Sequence, residues 1–178
     1  MSNDTQLSFA EAVQGLIAGD FSRLAPLFES PANGAPCQIV SWHESGLFAN
    51  EPKALAEAFS CACFNGFVPV VEYLLEHEAE PNGGAGTGMN AFHWAANRGQ
   101  LEVVELLIRA SASLEAKNMY GGTVLDCTVW SAINEPKPRH PEIIEALLKA
   151  EADVNAAQYP TGNDQIDGIL RRYGATNK

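Results

Sequence analysis

A pattern of two short helices separated by a glycine recurs about every 33 residues along this chain, and it constrains the fold more than any other feature. The clearest copy spans residues 90–112, where the first helical pattern ends near Gly99. In the second pattern the apolar residues share one helix face, and they are Leu101, Val104, Leu107 and Ile108. So short a pair cannot bury its apolar face alone, which predicts similar pairs stacked on both sides.

Neighbouring segments supply such pairs. About 33 residues upstream, Gly66 aligns with Gly99 and Leu74-Leu75 aligns with Leu107-Ile108. At the same interval downstream, the segment 123–126 aligns with the segment 90–93. The copies also end on similar segments, which are Ala79-Glu80-Pro81-Asn82, Ala112-Ser113-Leu114-Glu115 and Ala152-Asp153-Val154-Asn155.

Two of these elements resemble those of the ankyrin-repeat family. Asn90-Ala91-Phe92-His93-Trp94-Ala95 is similar to the family's Thr-Pro-Leu-His-x-Ala element. Asp153-Val154-Asn155 is the best copy of the family's Gly-Ala-Asp-Val-Asn ending. The resemblance is clear over about residues 53–155 and weaker at both ends. It implies an all-α solenoid of about four helix-pair repeats with a C-terminal capping helix, and with β-hairpin-like fingers between the repeats.

The spacing of the copies predicts a single domain. We expect one ankyrin-repeat domain over residues 1–178. Its repeats are expected at about 7–50, 51–87, 88–121 and 122–160, followed by a C-terminal cap at 161–178. The terminal units depart from the pattern because each of them must present one face to solvent.

Two segments exceed the regular repeat. Residues 31–50 fall where the resemblance implies a finger, so we expect an enlarged finger bearing Trp42 and Phe48, although these aromatics are equally consistent with folding back onto the first repeat. Residues 134–140 lie between the two helices of the fourth repeat. Their basic side chains are Lys137, Arg139 and His140. This loop is either a second site or a solvated insertion, and we favour the insertion.

The charge balance limits the kinds of partner. The chain has 22 acidic and 11 basic side chains, for a net charge of −11. Nucleic-acid binding depends on clustered Lys and Arg at the phosphates, so we expect no nucleic-acid partner. A protein partner with a basic surface fits this charge better, and the alternative is that the charge serves only solubility.

The sequence also predicts where the protein resides. No apolar run approaches the ~18 residues of a membrane-spanning helix, and the start of the chain lacks the charged and apolar regions of a signal peptide. We therefore expect a cytoplasmic protein that makes no membrane contact and is a monomer on its own. Its four cysteines match no zinc-binding spacing and are expected to be structural thiols.

Nothing in the sequence predicts catalysis, a metal site or a cofactor. The histidines His43, His77, His93 and His140 are dispersed over different repeats or loops. Catalysis needs a nucleophile beside a base, or an acid beside a base, and no local motif supplies such a pair. The glycine-rich segment 82–88 lacks the features of a phosphate-binding loop and is expected to be a turn. The resemblance implies that His93 ties neighbouring turns together.

The resemblance places a binding surface on the first helices and the finger tips, which line a concave groove. The candidate partner-binding residues are Phe64, Asn65, Trp94, Asn97, Arg98 and Trp130 on first helices, Met119, Tyr120 and Tyr159 at finger tips, and Trp42 in the 31–50 segment. Aromatic and arginine side chains are common at interface hot spots, so Trp94, Arg98, Tyr120 and Trp130 are expected at the centre. The tryptophans are equally consistent with core packing.

These expectations point to a non-catalytic protein-binding module that acts as an adaptor or inhibitor. One alternative is a structural or regulatory subunit of a larger assembly. Another is an enzyme whose site is assembled only in space, without any local sequence signal.

Overall fold

The computed structural model describes residues 7–177, and every regular element in this range is helical. Residues 1–6 and 178 belong to the expected domain but lie outside the described residues. The helices are α1 (Phe9–Ala18), α2 (Phe21–Leu24), α3 (Gln38–Glu44), α4 (Pro52–Asn65), α5 (Val68–Glu76), α6 (Ala91–Arg98), α7 (Leu101–Arg109), α8 (Val124–Asn134), α9 (His140–Lys149) and α10 (Asp164–Arg172). Short 3-10 helices cover Ala25–Phe28, Leu47–Asn50, Ala85–Thr87 and Val154–Ala156.

The recurring glycines end the first helix of a pair and turn the chain into the second. Gly66 and Gly99 follow α4 and α6 with φ of 78° and 79°, which is the left-handed conformation. The N–H of Gly66 donates to the carbonyl oxygen of Ala62, so a helix carbonyl left without a partner is satisfied. A residue with a Cβ would cost roughly 1–2 kcal/mol in this conformation, which explains why glycine recurs here.

The helices form two layers that follow the order of the chain. The helices α1, α4, α6 and α8, called here the inner helices, contact one another in that order. The outer helices α5, α7 and α9 do the same, and each packs on the inner helix that precedes it. This consecutive layering confirms the predicted all-α repeat solenoid.

Small side chains allow the inner helices to approach one another closely. Ala58, Ala62 and Ala95 lie on inner helices and are fully buried. The outer helices contribute branched side chains such as Val104 and Ile144 to the same core. Apolar burial between successive units is therefore the main stabilising contribution, as expected for a stacked array.

His93 connects the start of α6 to the finger that follows its repeat. Its side chain is fully buried, with Nδ1 2.6 Å from Asn90 Oδ1 and Nε2 3.2 Å from the carbonyl oxygen of Gly122. In the preceding repeat Ser60 stands at the equivalent position, and its hydroxyl donates to the carbonyl oxygen of Gly84. Each of these side chains joins an inner helix to the next finger.

A second set of bonds joins successive units about one helical turn further along the inner helices. The Gln100 side-chain amide donates to the carbonyl oxygen of Phe64 at 3.1 Å, and His140 Nε2 donates to that of Asn97 at 3.0 Å. Gln100 directly precedes the outer helix α7, and His140 begins the outer helix α9. The two side chains thus form equivalent hydrogen bonds in successive repeats, although one is an amide and the other an imidazole.

The 134–140 segment is bound to the rest of the protein. His140 is buried, and its Nδ1 accepts a hydrogen bond from the backbone N–H of Lys137. Arg139 forms ion pairs with Glu102 and Glu142. Two of the three basic side chains expected to form a patch, Arg139 and His140, are therefore used within the protein, and this favours the insertion over a second site.

Residues 31–50 fold differently from the expected enlarged finger, and that prediction was wrong. The segment contains α3 and the 3-10 helix Leu47–Asn50, and Phe48 is buried. The ring of Phe9 lies edge-on to Trp42 and Phe48, with centroids 5.3 and 5.0 Å apart. Trp42 and Phe48 thus pack on Phe9 of α1, which is the alternative of folding back onto the first repeat.

The folding of α3 also overturns the expectation that the histidines are dispersed. His43 Nδ1 lies 2.9 Å from the Tyr73 hydroxyl, and the rings of His43 and His77 have centroids 5.6 Å apart. His77 in turn stacks on the Tyr73 ring. These three side chains connect α3 to the outer helix α5 and its end.

The C-terminal helix α10 packs against α9 and covers the last unit. The side chain of Asp167 holds the preceding turn by accepting hydrogen bonds from the backbone N–H groups of Thr161 and Gly162. Ile166 and Leu170 are buried on the same helix. This is the expected capping helix.

The neutral form of His140 is expected to stabilise the fold. Burial lowers the pKa of His140 below its ordinary value near 6.5, and protonation would also place a proton against the N–H of Lys137. The unfolded chain then binds more protons than the folded one, so stability is complete above about pH 6.5 and falls as the pH is lowered.

The substitution His140→Gln tests this, because Gln100 makes the equivalent bond in the preceding repeat. At pH 8 the free energy of unfolding of the variant should lie within about 1 kcal/mol of the wild type. Below about pH 6.5 the variant should lose less stability than the wild type, as measured by urea unfolding at each pH. Parallel pH profiles would contradict the assignment.

Candidate interaction site

Most of the exposed large apolar side chains lie on the inner helices and on one finger. Among the described residues, the exposed large apolar side chains are Ile17, Leu47, Met119, Tyr120, Trp130 and Ile133. All of them except Leu47 lie on inner helices or on the 116–122 finger. Tyr120 and Trp130 line the same cleft, and grouped apolar side chains mark interaction surfaces more often than single scattered residues do.

Repeated positions on the inner helices explain part of this surface. Ile17, Phe64, Asn97 and Trp130 occupy equivalent places in successive repeats, near the end of the inner helix. None of the four is fully buried, and Trp130 is 54% exposed. The same position of the inner helix is therefore at least partly exposed to solvent in each unit.

A cleft of about 560 Å³ lies between α6, α8 and the 116–122 finger. It is lined by Met89, Asn97, Asn118, Tyr120, Gly122, Asp126, Cys127 and Trp130. Three of the predicted partner-binding residues, Asn97, Tyr120 and Trp130, thus meet in one place. Its volume is within the range of small-ligand and side-chain pockets.

The finger beside the cleft is held by its own hydrogen bonds. The Asn118 side-chain oxygen accepts from the backbone N–H groups of Tyr120 and Gly122, both at 3.0 Å. The backbone N–H of Met119 donates to the carbonyl oxygen of Gly88 in the neighbouring 82–88 finger. With the backbone fixed in this way, the side chain of Tyr120 projects into solvent and is 81% exposed.

Asn97 both lines the cleft and joins two inner helices. Its amide nitrogen donates to the Ser131 hydroxyl at 2.6 Å, and that hydroxyl donates to the carbonyl oxygen of Cys127. Ser131 is completely buried. The floor of the cleft between α6 and α8 is therefore fixed by polar bonds as well as by packing.

Trp94 and Phe64 belong to an aromatic cluster next to the cleft. Their ring centroids are 5.3 Å apart, and both rings lie edge-on to Phe21. The indole N–H of Trp94 donates to the Thr87 hydroxyl in the 82–88 finger at 3.0 Å. Arg98 covers the other side of Phe64, with its guanidinium carbon 4.5 Å from the ring centre. Trp94 is thus half-buried beneath a finger, in agreement with the alternative that this tryptophan packs in the core.

Three other candidate residues do not line the cleft. The Asn65 amide donates to the backbone carbonyl oxygens of Phe21 and Cys61, so this side chain joins the first two repeats. The Tyr159 hydroxyl accepts a hydrogen bond from Arg171 Nε at the C-terminal cap. Trp42 packs on Phe9, as described above.

Sequence reasoning missed Asp126, the charged residue in the cleft lining. Asp126 occupies the motif position that His93 holds in the preceding repeat, and its backbone N–H donates to the Thr123 side chain at the start of α8. A carboxylate in place of the motif histidine was the signal that could have identified it.

Glu57 is a second residue that the sequence did not single out. Its carboxyl group is buried beneath the 82–88 finger, where Oε1 accepts a hydrogen bond from the N–H of Gly86 at 2.8 Å. Its Oε2 has no hydrogen-bond partner among the described residues. Burial raises the pKa of Glu57, because the surroundings disfavour the charged form.

The cysteines are buried thiols. Burial raises the pKa of Cys127 to about 11, so this thiol stays protonated even though its residue lines the cleft. Within residues 7–177, no three His, Cys, Asp or Glu side chains are placed to hold a metal ion together. Over the same part of the chain, no helix has the length and apolar character required to span a membrane.

Comparison with known protein families identifies the repeat type. A family model described as ankyrin repeats (3 copies) matches residues 59–158, which is more than half of the chain. The matched range contains every residue that lines the cleft.

The structure predicts different roles for two tryptophans that look alike in the sequence. Trp94→Ala should lower the free energy of unfolding by about 3 kcal/mol, because it removes a packed ring and leaves Thr87 without its partner. Tyr120→Ala should change it by less than about 0.5 kcal/mol, and Trp130→Ala by less than about 1 kcal/mol, because both side chains are largely exposed. Urea unfolding of the three variants checks this, and equal losses for Trp94→Ala and Trp130→Ala would contradict it.

Proposed function

Since this chain belongs to the ankyrin-repeat family, whose repeats generally mediate protein–protein interactions, we propose that it is a non-catalytic binding module. It acts as an adaptor or inhibitor by occupying a surface of a partner protein. The binding surface consists of the inner helices and the finger tips. The binding module is one domain over residues 1–178. Its repeats lie at about 7–50, 51–87, 88–121 and 122–160, and its C-terminal cap lies at 161–178.

The observation that supports this proposal is the unequal distribution of exposed side chains. Exposed apolar and aromatic groups lie on the inner helices and the 116–122 finger. The outer helices instead expose carboxylates, such as Glu72, Glu76 and Glu105. Aromatic side chains supply large contact area at a small cost in conformational entropy, so the first of these two surfaces is better suited to binding.

The predicted contact residues are not equivalent in the proposed interface. Tyr120, Trp130 and Met119 are exposed and are proposed to contact the partner directly. Asn97 and Arg98 are partly exposed and are proposed to form the edge of the contact. Phe64 and Trp94 are proposed to lie beneath the contact surface, where they fix the position of the 82–88 finger.

The net charge of −11 favours a partner with a basic surface. We propose that the protein is a monomer before it binds and that it acts in the cytoplasm. Association should then weaken as the salt concentration rises, because screening reduces the attraction between opposite charges.

Capture of the partner on the immobilised protein, followed by mass spectrometry and calorimetry, tests the proposal. The double variant Tyr120→Ala/Trp130→Ala should raise the dissociation constant at least about 30-fold, since each hot spot contributes about 1–2 kcal/mol. Leu47→Ala is the matched control, because Leu47 is an exposed apolar residue away from this surface. It should bind as the wild type does.

Thermal unfolding of each variant verifies that the fold is intact. If the double variant binds as tightly as the wild type, the interaction surface is elsewhere and the proposal fails. If Leu47→Ala weakens binding as much as the double variant, the 31–50 segment is the contact surface instead, and the proposal fails in that case too.

A further inference from the structure

Glu57 carries a carboxyl group at a position where the next two repeats have neutral side chains. At intervals of about 33 residues it aligns with Asn90 and Thr123. Those two residues directly precede α6 and α8, where their side chains accept hydrogen bonds from backbone N–H groups of the first helical turn. The helix α4 instead begins at Pro52, so Glu57 lies inside it and caps no helix. Its carboxyl group is therefore available for another contact.

The 82–88 finger lies directly on this carboxyl group. The backbone N–H of Gly86 donates to Glu57 Oε1 at 2.8 Å. A Cβ built on Gly86 would lie 2.7 Å from the same oxygen, and one built on Gly84 would overlap the Ser60 hydroxyl. Side chains at these two positions would force the finger away from α4. The two glycines thus allow the backbone of the finger to contact the carboxyl group.

The carboxyl group lies close to solvent but is covered by the finger. Glu57 is 5% exposed, whereas Gly86, which is bonded to it, is exposed. Glu57 Oε2 is buried and has no hydrogen-bond partner among the described residues. A carboxylate that leaves water needs several donors to replace its hydration, and here the finger supplies the N–H of Gly86. Movement of the finger would give water access to Oε2.

Within residues 7–177, no charged side chain pairs with the Glu57 carboxyl group. Burial raises its pKa, and the hydrogen bond from Gly86 opposes that rise. The elements that pack on α4 carry the titratable residues Glu11, Arg23, Glu72, Tyr73, Glu76, His93 and Arg98, and α4 itself also carries Lys53, Cys61 and Cys63. Burial raises the pKa of the Cys61 thiol one turn along α4, so this neighbour stays neutral.

We propose that Glu57 is a protonation-dependent latch for the 82–88 finger. The neutral acid holds the finger closed on α4, and ionisation favours opening. This inference goes beyond the proposed function, because it concerns a movement of the protein itself and requires no partner.

The direction of the pH dependence follows from the two environments of the carboxyl group. The closed finger disfavours the carboxylate and the open finger hydrates it, so closing is linked to the uptake of a proton. The population of the open finger should therefore rise with pH above the ordinary glutamate pKa of 4.5. It should stop rising above the raised pKa of the closed form.

The finger connects the latch to the candidate binding surface. The Thr87 hydroxyl accepts the indole N–H of Trp94, and the carbonyl oxygen of Gly88 accepts the backbone N–H of Met119. Met119 belongs to the finger beside the cleft. Opening of the 82–88 finger would break both bonds, so the arrangement of this surface depends on the protonation of Glu57.

NMR of the full chain between pH 4.5 and pH 8 tests the proposal. The ¹³C resonance of the Glu57 carboxyl group should titrate with a pKa above its ordinary value. The opening constant at Gly86 should rise at least about 3-fold over this range, as measured by hydrogen-exchange protection factors corrected for the intrinsic effect of pH. The Met119 amide and the Trp94 indole should follow, because both are bonded to the same finger.

The substitution Glu57→Gln keeps an oxygen for the N–H of Gly86 but cannot ionise, so its finger should be equally protected at both ends of the pH range. Glu72→Gln is the matched control, because it removes an exposed carboxylate from α5, and it should behave as the wild type does. In urea, the stability of Glu57→Gln relative to the wild type should increase from pH 4.5 to pH 8. The folded wild type loses the contribution of the neutral acid as the pH rises through the raised pKa.

Three results would overturn the proposal: a Glu57 carboxyl group that titrates at or below its ordinary pKa, protection of Gly86 that does not change with pH, or a pH dependence that Glu57→Gln retains. The proposal also fails if Gly86 responds while Met119 and Trp94 do not, since the finger then does not move as a unit. If Glu57→Gln does not fold, the wild-type titration and exchange decide alone. These measurements use no partner, so their failure is distinct from a failure of partner capture.

Discussion

The burial shared by neighbouring helix pairs is the interaction on which the rest of this structure depends. No pair of helices is long enough to close its own core, so every unit is stable only against the next one. Small buried residues such as Ala58 and Ala95 bring the inner helices close together. Close approach in turn places Gln100 against Phe64 and His140 against Asn97, where each can form its hydrogen bond.

The parts of the fold that repeat could be predicted from the sequence, and the irregular parts could not. Gly66 and Gly99 identify the helix pairs because the left-handed turn after the first helix favours glycine. The helix α3 was missed because it is short and lies among glycines and prolines, so it has no repeated copy to compare with. The meeting of His43 and His77 depends on α3 and was missed with it.

In the candidate site too, the sequence predicts some features and does not predict others. Trp94 and Trp130 are both aromatic residues on inner helices, and only the structure distinguishes the ring bonded beneath a finger from the exposed one. Their environments differ because a finger passes over Trp94, which a one-dimensional pattern does not show. The carboxylate of Asp126 at the motif position is visible in the alignment, but only the structure shows that this residue lines the cleft. Hydrogen bonds hold the shape of this cleft, and such preorganisation would reduce the entropy cost of the proposed binding.

The inner helices α4 and α6 are each bonded to the following unit at two points about one helical turn apart. Ser60 and His93 form the first of these bonds, and the carbonyl oxygens of Phe64 and Asn97 accept the second. Two directional bonds on each helix oppose its sliding and rotation against its neighbour, so they help to keep equivalent side chains near the ~10 Å separation of packed helices. A surface with constant intervals selects molecules by the distance between their contact points, in addition to their chemistry.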